Sequence, residues 1–207
     1  FFKSMRDQEA MKELERNNLQ TELDYLKYQI NPHFFMNTLN NIHALVDIDT
    51  EKAKQTIVEL SRLMRYVLYE SNNRLILLSK EVQFLNHYIE LMRIRYTDKV
   101  RIDVSFPTDT GEIQVPPLLF VSFVENAFKH GVSYQSPSFV SVSLQIEGDE
   151  IIFCCANSNY NMTEDQHHGI GLDNIRKRLR LLFGNRYELS IDEKPNCFNV
   201  QLSVPVS

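Results

Sequence analysis

The feature that most restricts the fold is a change in hydrophobic period near residue 96. Before this point apolar residues recur every three or four positions, which is typical of amphipathic helices. After it they alternate in segments such as 100–106 and 140–146, which is typical of half-buried strands. A chain of 207 residues is long enough for two modest cores. The sequence therefore predicts an α+β protein in which a helical unit precedes a mixed unit of strands and helices.

Within the helical unit, separate apolar stripes predict separate helices. The region 11–30 has leucine and isoleucine at the spacing of a coiled-coil seam. The next two stripes are joined by a polar turn at 47–51, so two antiparallel helices are expected, which would bury their stripes in a four-helix dimer. These stripes are Phe35, Leu39, Ile42 and Val46, then Ile57, Leu60, Met64 and Val67. A fourth helix is predicted over 79–96, with one face made by Val82, Leu85, Ile89, Met92 and Tyr96.

The mixed unit is predicted to be a sandwich with helices on one face of a sheet. Strands are expected at 100–106, 139–146, 151–156, 187–192 and 197–204. The continuous apolar run in the third of these strands indicates a central, buried position. A helix is expected over 115–131, with proline in its first turn and glycine at its end. Another is expected between the polar loop 157–171 and Gly184, with the basic segment 176–180 as a solvated face.

Composition and charge exclude several classes of protein. The net charge of −5 gives no broad basic field, so nucleic acid is a poor partner. No run approaches the roughly 20 apolar residues of a membrane helix. Three cysteines, two of them adjacent, suit neither a disulfide framework nor a zinc site and favour a reducing, cytoplasmic setting. The start of the sequence lacks the pattern of a secretion signal, and the chain is expected to be part of a longer protein.

A proline and a histidine stand together just before the stripe that begins with Phe35. Pro32 cannot donate the backbone hydrogen bond of a preceding helix, so a bend or a new helix start is expected there. At about 100° per residue, His33 lies on the side of its helix opposite to that stripe. The residue is therefore either a solvated first-turn histidine or an exposed nucleophile, since a neutral imidazole nitrogen is nucleophilic.

The segment 121–131 has a polar face behind a buried stripe. The polar residues of interest are Glu125, Asn126, Lys129 and His130. They offer a carboxylate for proton abstraction, an amide oxygen for a metal and cationic groups for phosphate. The same pattern also fits an ordinary amphipathic helix with a wet face.

A second candidate lies where the polar loop meets the following helix. Gly169 and Gly171 allow the backbone to approach a ligand closely at a helix start, where unpaired N–H groups attract anions. Glycine is also common at loop-to-helix junctions, so this pair taken alone leaves both interpretations open.

Taken in order, the segments NPHFFMNTLN, VPPLLFVSFVENAFKHG and GIGLDNIRKRL resemble the motifs of sensor histidine kinases of the autolysin-regulator (LytS-like) type. The resemblance extends from about residue 26 to 204. It implies a signalling coiled-coil helix at 1–30, a dimerisation and phosphoacceptor hairpin at 31–77 and a GHKL (Bergerat-type) ATP-binding domain at 78–207. It also implies a homodimer, ATP and Mg²⁺ as ligands, and a response regulator carrying a LytTR domain as partner. The implied location is the cytoplasmic side of a membrane protein.

The resemblance also implies roles for single residues. His33 is the implied phosphoacceptor of an ATP-dependent protein-histidine kinase, and Glu125 is the acidic residue that orients or deprotonates the nucleophile. Asn126 matches the residue that holds Mg²⁺. The positions implied to contact phosphates or to close the nucleotide lid are Lys129, His130, Gly169 and Gly171.

One segment departs from the family pattern. Related ATPase domains carry Asp-x-Gly after the central strand, with a carboxylate that accepts the adenine amino proton, and this chain has Asn157, Ser158 and Asn159 there. An asparagine amide still offers an acceptor and a donor to adenine. Loss of the charged acceptor would weaken binding by roughly 1 kcal/mol. The alternatives to a kinase are therefore a nucleotide-binding pseudokinase and a signalling scaffold that dimerises without phosphoryl transfer.

Overall fold

The computed structural model describes residues 32–96, 99–133, 135–160 and 168–206. The coiled-coil helix expected at 1–30 and residues 161–167 of the expected loop lie outside these ranges. The helices are α1 (Pro32–Ile48), α2 (Thr50–Arg65), α3 (Leu78–Arg95), α4 (Val121–Gly131) and α5 (His168–Phe183), with a π-helical turn, Tyr66–Glu70, after α2. The strands are β1 (Ile76–Leu77), β2 (Val100–Ser105), β3 (Gln114–Val115), β4 (Ser138–Glu147), β5 (Glu150–Ser158), β6 (Glu188–Lys194) and β7 (Cys197–Pro205). Within the described ranges, no helix has both the length and the apolar character needed to cross a bilayer.

Helices α1 and α2 form a hairpin, because only Asp49 separates them and they pack against each other. The Asp49 side chain caps α2 by accepting a hydrogen bond from the backbone N–H of Lys52 at 3.0 Å. The apolar side chains buried in this hairpin are Phe34, Ile42, Ala53, Leu60 and Leu63.

Each predicted stripe of the hairpin is only partly buried within the chain. Two residues of each stripe are 45% to 51% exposed, namely Leu39 and Val46 on α1 and Ile57 and Met64 on α2. The buried face of α1 includes Phe34 and Thr38, each one position before a residue of the predicted stripe, together with Ile42 of the stripe itself. There the ring of Phe34 stacks on Tyr88 of α3 with centroids 4.8 Å apart. The hairpin therefore keeps a second apolar face that the described chain does not cover.

Helix α3 is buried on more sides than the sequence pattern indicates. Of the predicted face, Val82, Leu85, Ile89 and Met92 are buried, and Tyr96, just beyond the end of the helix, is partly buried. Also buried are Glu81, Phe84, Tyr88 and Leu91. One side of α3 packs on α2. At its end it meets the mixed unit, where Arg93 Nη2 donates to the carbonyl of Ile102 at 2.8 Å. Helix α3 thus contacts both the hairpin and the mixed unit.

The mixed unit is built on a sheet of five described strands in the order β2-β4-β5-β7-β6. Strand β2 pairs with β4 in parallel, and the other neighbours pair antiparallel. The apolar strand β5 lies in the middle, as predicted, with Phe153 opposite Leu202 of β7. Helix α4 packs on β4 and β5. The predicted α+β class, a helical hairpin followed by a mixed sheet with helices, is confirmed.

Two local predictions in this unit are wrong. The helix expected to begin at 115 begins at Val121, and the two prolines lie in a turn before it. In that turn Leu118 has a φ of 58°, a left-handed conformation that is uncommon for a residue other than glycine. The basic segment 176–180 is not wholly solvated, because Arg178 is only 9% exposed. Both errors arise from hydrogen bonds between this turn and residues distant in sequence.

Candidate active site

A cleft opens beside α4, the strands β5 and β7 and the start of α5, and it holds about 650 Å³ of space, part of it open to solvent. Its apolar lining comes from Phe123, Ala127, Leu172, Phe198 and Val200. Such a lining suits a flat ring, provided that polar groups nearby fix its orientation.

Several residues singled out from the sequence line this cleft together, namely Asn126, Lys129, His130, Asn157 and Gly171. The three from α4 share one face of that helix, since they are separated by three and four positions. Asn157 comes from the end of β5 and Gly171 from the first turn of α5. Two helices and a strand thus contribute amides, a cation and a glycine to one wall, a set able to bind a phosphorylated ligand.

Gly171 faces the side chain of Asn126 across the cleft. A Cβ atom placed on Gly171 would lie 3.6 Å from both Nδ2 and Oδ1 of Asn126. This is ordinary van der Waals contact, so the glycine leaves open the space next to the amide without being required by packing. Gly169 belongs to the same first turn of α5.

Asn157 is buried against the last residue of α4. A Cβ atom on Gly131 would come within 2.6 Å of Nδ2 and 2.7 Å of Cγ of Asn157, so a larger residue does not fit without movement. The Nδ2 group of Asn157 donates to the carbonyl of Ser158 at 2.8 Å. With its donor engaged in this way, the amide presents an oxygen that can accept a hydrogen bond from a ligand amino group.

Asn159, which stands where the family pattern has glycine, also lines the cleft. Its Nδ2 donates to the carbonyl of Lys194 at 3.1 Å and to Oε1 of Glu193 at 3.3 Å. Its backbone N–H donates to the carbonyl of Asn196 at 3.2 Å. These bonds tie the end of β5 to the β6–β7 connection, which a glycine would do only through its backbone.

Cys155 contributes a thiol to the cleft and was not singled out from the sequence. Burial raises its pKa to about 12, with a smaller effect from Cys154. The sulfur lies 3.8 Å from the carbonyl oxygen of Phe123, to which it donates a weak hydrogen bond. A thiol with this pKa is neutral at physiological pH, so Cys155 acts as a lining residue and not as a nucleophile.

Glu125 is not among the described residues that line the cleft. His33 belongs to the first turn of α1, next to Phe34, whose ring stacks on Tyr88. Burial raises the pKa of the Tyr88 hydroxyl, and the negative charge of Glu125 raises it further. The first turn of α1 therefore lies beside Tyr88 of α3. The roles assigned to these two residues stay predictions.

Sequence reasoning missed a buried carboxylate in α3. Glu81 is 0% exposed, and its Oε2 accepts hydrogen bonds from the Tyr66 hydroxyl and from the N–H of Leu118 at 2.9 Å. Its Oε1 accepts from the N–H of Phe120 at 3.3 Å. The sequence does contain an indication that Glu81 is buried, because Glu81 lies four positions before Leu85 and therefore on the apolar stripe of α3.

The second missed residue is Arg178 of α5. Its Nη1 and Nη2 donate to the carbonyls of Leu118 and Pro117, each at 2.7 Å. Burial lowers the pKa of the guanidinium, and the nearby Glu81 carboxylate opposes this effect. For Glu81 burial raises the pKa, whereas the three donated hydrogen bonds and the charge of Arg178 oppose the rise.

The residues of the cleft also bear on the implied magnesium ion. Among the described residues, no group of three or more His, Cys, Asp and Glu side chains could hold a metal. Mg²⁺ usually keeps several waters and binds through one or two protein ligands plus substrate phosphates. The amide oxygen of Asn126 is a ligand of this type, so the donor set fits Mg²⁺ that arrives with a phosphorylated substrate.

Comparison with protein families and curated proteins identifies relatives of this chain. The family model described as Histidine kinase matches residues 21–100. Sensor protein LytS of Oceanobacillus iheyensis is 30% identical over 94% of this chain and 35% of its own length. Sensor histidine kinase BtsS of Escherichia coli is 29% identical over 90% of this chain and 34% of its own length. The chain thus spans about a third of the length of these relatives.

Solved structures share the fold at low sequence identity. Erythrobacter litoralis EL346 blue-light activated histidine kinase has a TM-score of 0.50 and 15% identity, covering 91% of this chain and 60% of that one. A structure described as a bacterial phosphotransferase has a TM-score of 0.52 and 8% identity, covering 89% of this chain and 95% of that one. These likenesses concern the arrangement of helices and sheet.

Proposed function

We propose that this chain, which belongs to the LytS-like sensor histidine kinases, transfers the γ-phosphoryl group of ATP to the imidazole of His33. The observation that carries the proposal is the cleft in which Asn126 and Lys129 of α4 and Asn157 of β5 form one wall. An amide beside a cation suits a triphosphate with its metal, and a buried amide beside apolar side chains suits a purine.

In this proposal ATP lies with its adenine at the buried end of the cleft. The adenine amino group donates to the amide oxygen of Asn157, and Phe198 and Val200 contact the ring. The side chains of Lys129 and His130 bind phosphate oxygens. Asn126 would hold Mg²⁺ that arrives with the substrate, and the ion would supply neutralisation of the charge on the transferring group.

The proposed reaction is a phosphoryl transfer to nitrogen. A ring nitrogen of His33 bonds to the γ-phosphorus, the bond between that phosphorus and the β–γ bridging oxygen breaks, and ADP leaves with the electron pair. Glu125 orients the imidazole by accepting a hydrogen bond from the other ring N–H. Because His33 belongs to α1 and the cleft to the mixed unit, the two have to approach each other before transfer.

The partners in this proposal are a second copy of the chain and a response regulator. The half-exposed apolar side chains of α1 and α2 form a face that a second hairpin would bury in a four-helix bundle. The phosphoryl group then passes from His33 to an aspartate of a response regulator of the LytTR type. Pro32, at the start of α1, provides a place where movements of a preceding segment change the exposure of His33. The kinase part would lie on the cytoplasmic side of a membrane protein.

The test is to incubate the purified chain with γ-labelled ATP and Mg²⁺ and to measure acid-labile label on the protein. His33→Gln is the informative variant, and His43→Gln is its matched control, because His43 lies on the same helix and is exposed. Label is expected on the wild type and on His43→Gln and not on His33→Gln. Label retained by His33→Gln would refute the assignment of the acceptor.

The same preparation separates the kinase from its alternatives. A wild-type chain that binds a fluorescent ATP analogue and takes no label would be a nucleotide-binding pseudokinase. A chain that neither binds the analogue nor takes label would be a signalling scaffold. Nothing in the comparison with known proteins favours either alternative over a kinase.

A further inference from the structure

One turn of backbone contacts both helices that flank the cleft. The turn 116–120 leads directly into α4 and contains Leu118, whose φ of 58° is unfavourable for a residue with a Cβ atom. Such a conformation persists only where the surrounding structure holds it in place. The peptide groups of this turn therefore need hydrogen bonds that hold them in this conformation.

The partners of the turn are two buried charged side chains from different helices. Glu81 of α3 accepts hydrogen bonds from the N–H groups of Leu118 and Phe120 at 2.9 and 3.3 Å. Arg178 of α5 donates to the carbonyls of Pro117 and Leu118, each at 2.7 Å. Leu118 is thus held at its N–H by one side chain and at its carbonyl by the other. We call Glu81 and Arg178 the turn clamp.

The position of Arg178 along α5 connects the clamp to the cleft. Arg178 follows Gly171 by seven residues, which is about two helical turns, so the two residues lie on the same side of α5. On the other helix, Asn126 lies within α4, which begins directly after the turn 116–120. The clamp therefore fixes α4 and α5 relative to each other two turns away from the residues that line the cleft.

The hairpin reaches the same carboxylate through Tyr66. This residue begins the π-helical turn that follows α2, and its hydroxyl donates to Oε2 of Glu81. Its ring also packs on Phe84 of α3 with centroids 4.4 Å apart. The end of the hairpin and the backbone in front of α4 consequently share one hydrogen-bond acceptor.

We infer that Glu81 and Arg178 are positioning residues for nucleotide binding, and that Tyr66 links the geometry of the cleft to that of the hairpin. This inference rests on the proposed function. It adds that the contacts of Glu81, Arg178 and Tyr66 couple ATP binding to the approach between the cleft and His33. Linkage is reciprocal, so a nucleotide that fixes α4 and α5 also stabilises the bond at the hairpin end.

The first experiment replaces Arg178 by lysine. A lysine keeps the charge, but its ammonium lacks the rigid planar fork whose two nitrogens donate to the two carbonyls. The dissociation constant of a fluorescent ATP analogue should rise about tenfold. Arg180→Lys is the matched control, because Arg180 is exposed on the same helix, and its dissociation constant should equal that of the wild type. A folded Arg178→Lys protein that binds the analogue as the wild type does would overturn the role of the clamp.

The second experiment removes only the hydroxyl of Tyr66. In Tyr66→Phe the clamp keeps its bonds to the turn but loses its link to the hairpin. By the same reciprocity KM for ATP should rise, and kcat for autophosphorylation should fall about fivefold. Tyr69→Phe, on an exposed residue of the same π-helical turn, should leave both constants unchanged. If the two variants have equal kcat values, the link through Tyr66 is refuted.

A third measurement uses the wild type alone and so does not depend on how a variant folds. Adding a non-hydrolysable ATP analogue with Mg²⁺ should slow amide hydrogen exchange in 66–70 and 118–120 as well as in the cleft. Slowing confined to the cleft would contradict the coupling.

These experiments separate the inference from the proposed function. A wild type that binds the analogue and takes no label on His33 would refute the phosphoryl transfer. The binding of the analogue to Arg178→Lys and the hydrogen exchange of the wild type would still test whether the turn clamp positions the nucleotide site. A wild type that does not bind the analogue would overturn both.

Discussion

Replacing Gly131 by alanine tests how tightly the end of α4 packs on Asn157. The new Cβ would come within 2.6 Å of Nδ2 and 2.7 Å of Cγ, and the Cβ of Asn157 is also in its way. A change of χ1 in Asn157 does not relieve the contact with its own Cβ, so the backbone has to move. Overpacking of this kind costs about 1–3 kcal/mol, and the better helix propensity of alanine returns about 0.5–1 kcal/mol.

The net expectation for Gly131→Ala is a loss of about 1–2 kcal/mol in the free energy of unfolding, or a fall in Tm of about 5 °C. Displacement of the Asn157 amide should also weaken binding of an ATP analogue about tenfold, the effect of losing one hydrogen bond of about 1.4 kcal/mol. Thermal unfolding followed by circular dichroism and equilibrium binding by fluorescence measure the two effects.

Gly171→Ala is the comparison variant, because its Cβ would lie 3.6 Å from the Asn126 amide without overlap. Its Tm should be equal to or above that of the wild type, whereas its affinity for the analogue should fall, since the methyl group occupies space beside the amide. A Gly131→Ala protein with unchanged Tm and unchanged affinity would show that the packing argument is wrong.

Two further predictions concern the thiol in the cleft and the uncovered face of the hairpin. Because burial raises the pKa of Cys155 to about 12 from 9.0, this thiol contributes stability that is complete below pH 9 and is lost as pH rises towards 12. Between pH 9 and 10 the wild type should lose about 1 kcal/mol more of its unfolding free energy than Cys155→Ala, as measured by urea denaturation; equal losses would exclude the shifted pKa. Leu39→Lys should convert dimers to monomers in sedimentation experiments, because a charge cannot be buried in the bundle face, whereas Leu75→Lys, at an exposed leucine outside the hairpin helices, should not. Dimers that persist in Leu39→Lys would show that another surface joins the copies.

The parts of the fold that follow from local pattern could be predicted from the sequence. The apolar run of β5 predicts a place at the centre of the sheet, because such a run has to be covered on both faces, and the alternation after residue 96 predicts strands. The amide, cation and glycine groups of the cleft were found because they lie on regular elements at fixed spacing. Asn126 and Lys129 share a helix face at i and i+3 wherever that helix is placed.

The errors occurred where a distant side chain decided the outcome. The segment 176–180 is basic throughout, and nothing local distinguishes Arg178, which is buried because two carbonyls of the turn before α4 accept its hydrogen bonds. Proline normally suits a first helical turn, but here α4 starts later because Glu81 holds the N–H groups of Leu118 and Phe120. In the hairpin, the face at Leu39 is apolar without being covered by the described chain, and a pattern of apolar spacing does not distinguish a core from an interface between copies.

Helix α3 bears on how the chain unfolds. Its side chains are shared between the hairpin, through the stacking of Phe34 on Tyr88, and the mixed unit, through stacking of Tyr96 on Phe128 just beyond its end. A protein cut immediately before Leu78 would expose the side of α3 that α2 covers, and one cut after Arg95 would strip the mixed unit of the Glu81 carboxylate. The two units therefore have no clean point of separation, and heat or denaturant should melt them in a single cooperative transition.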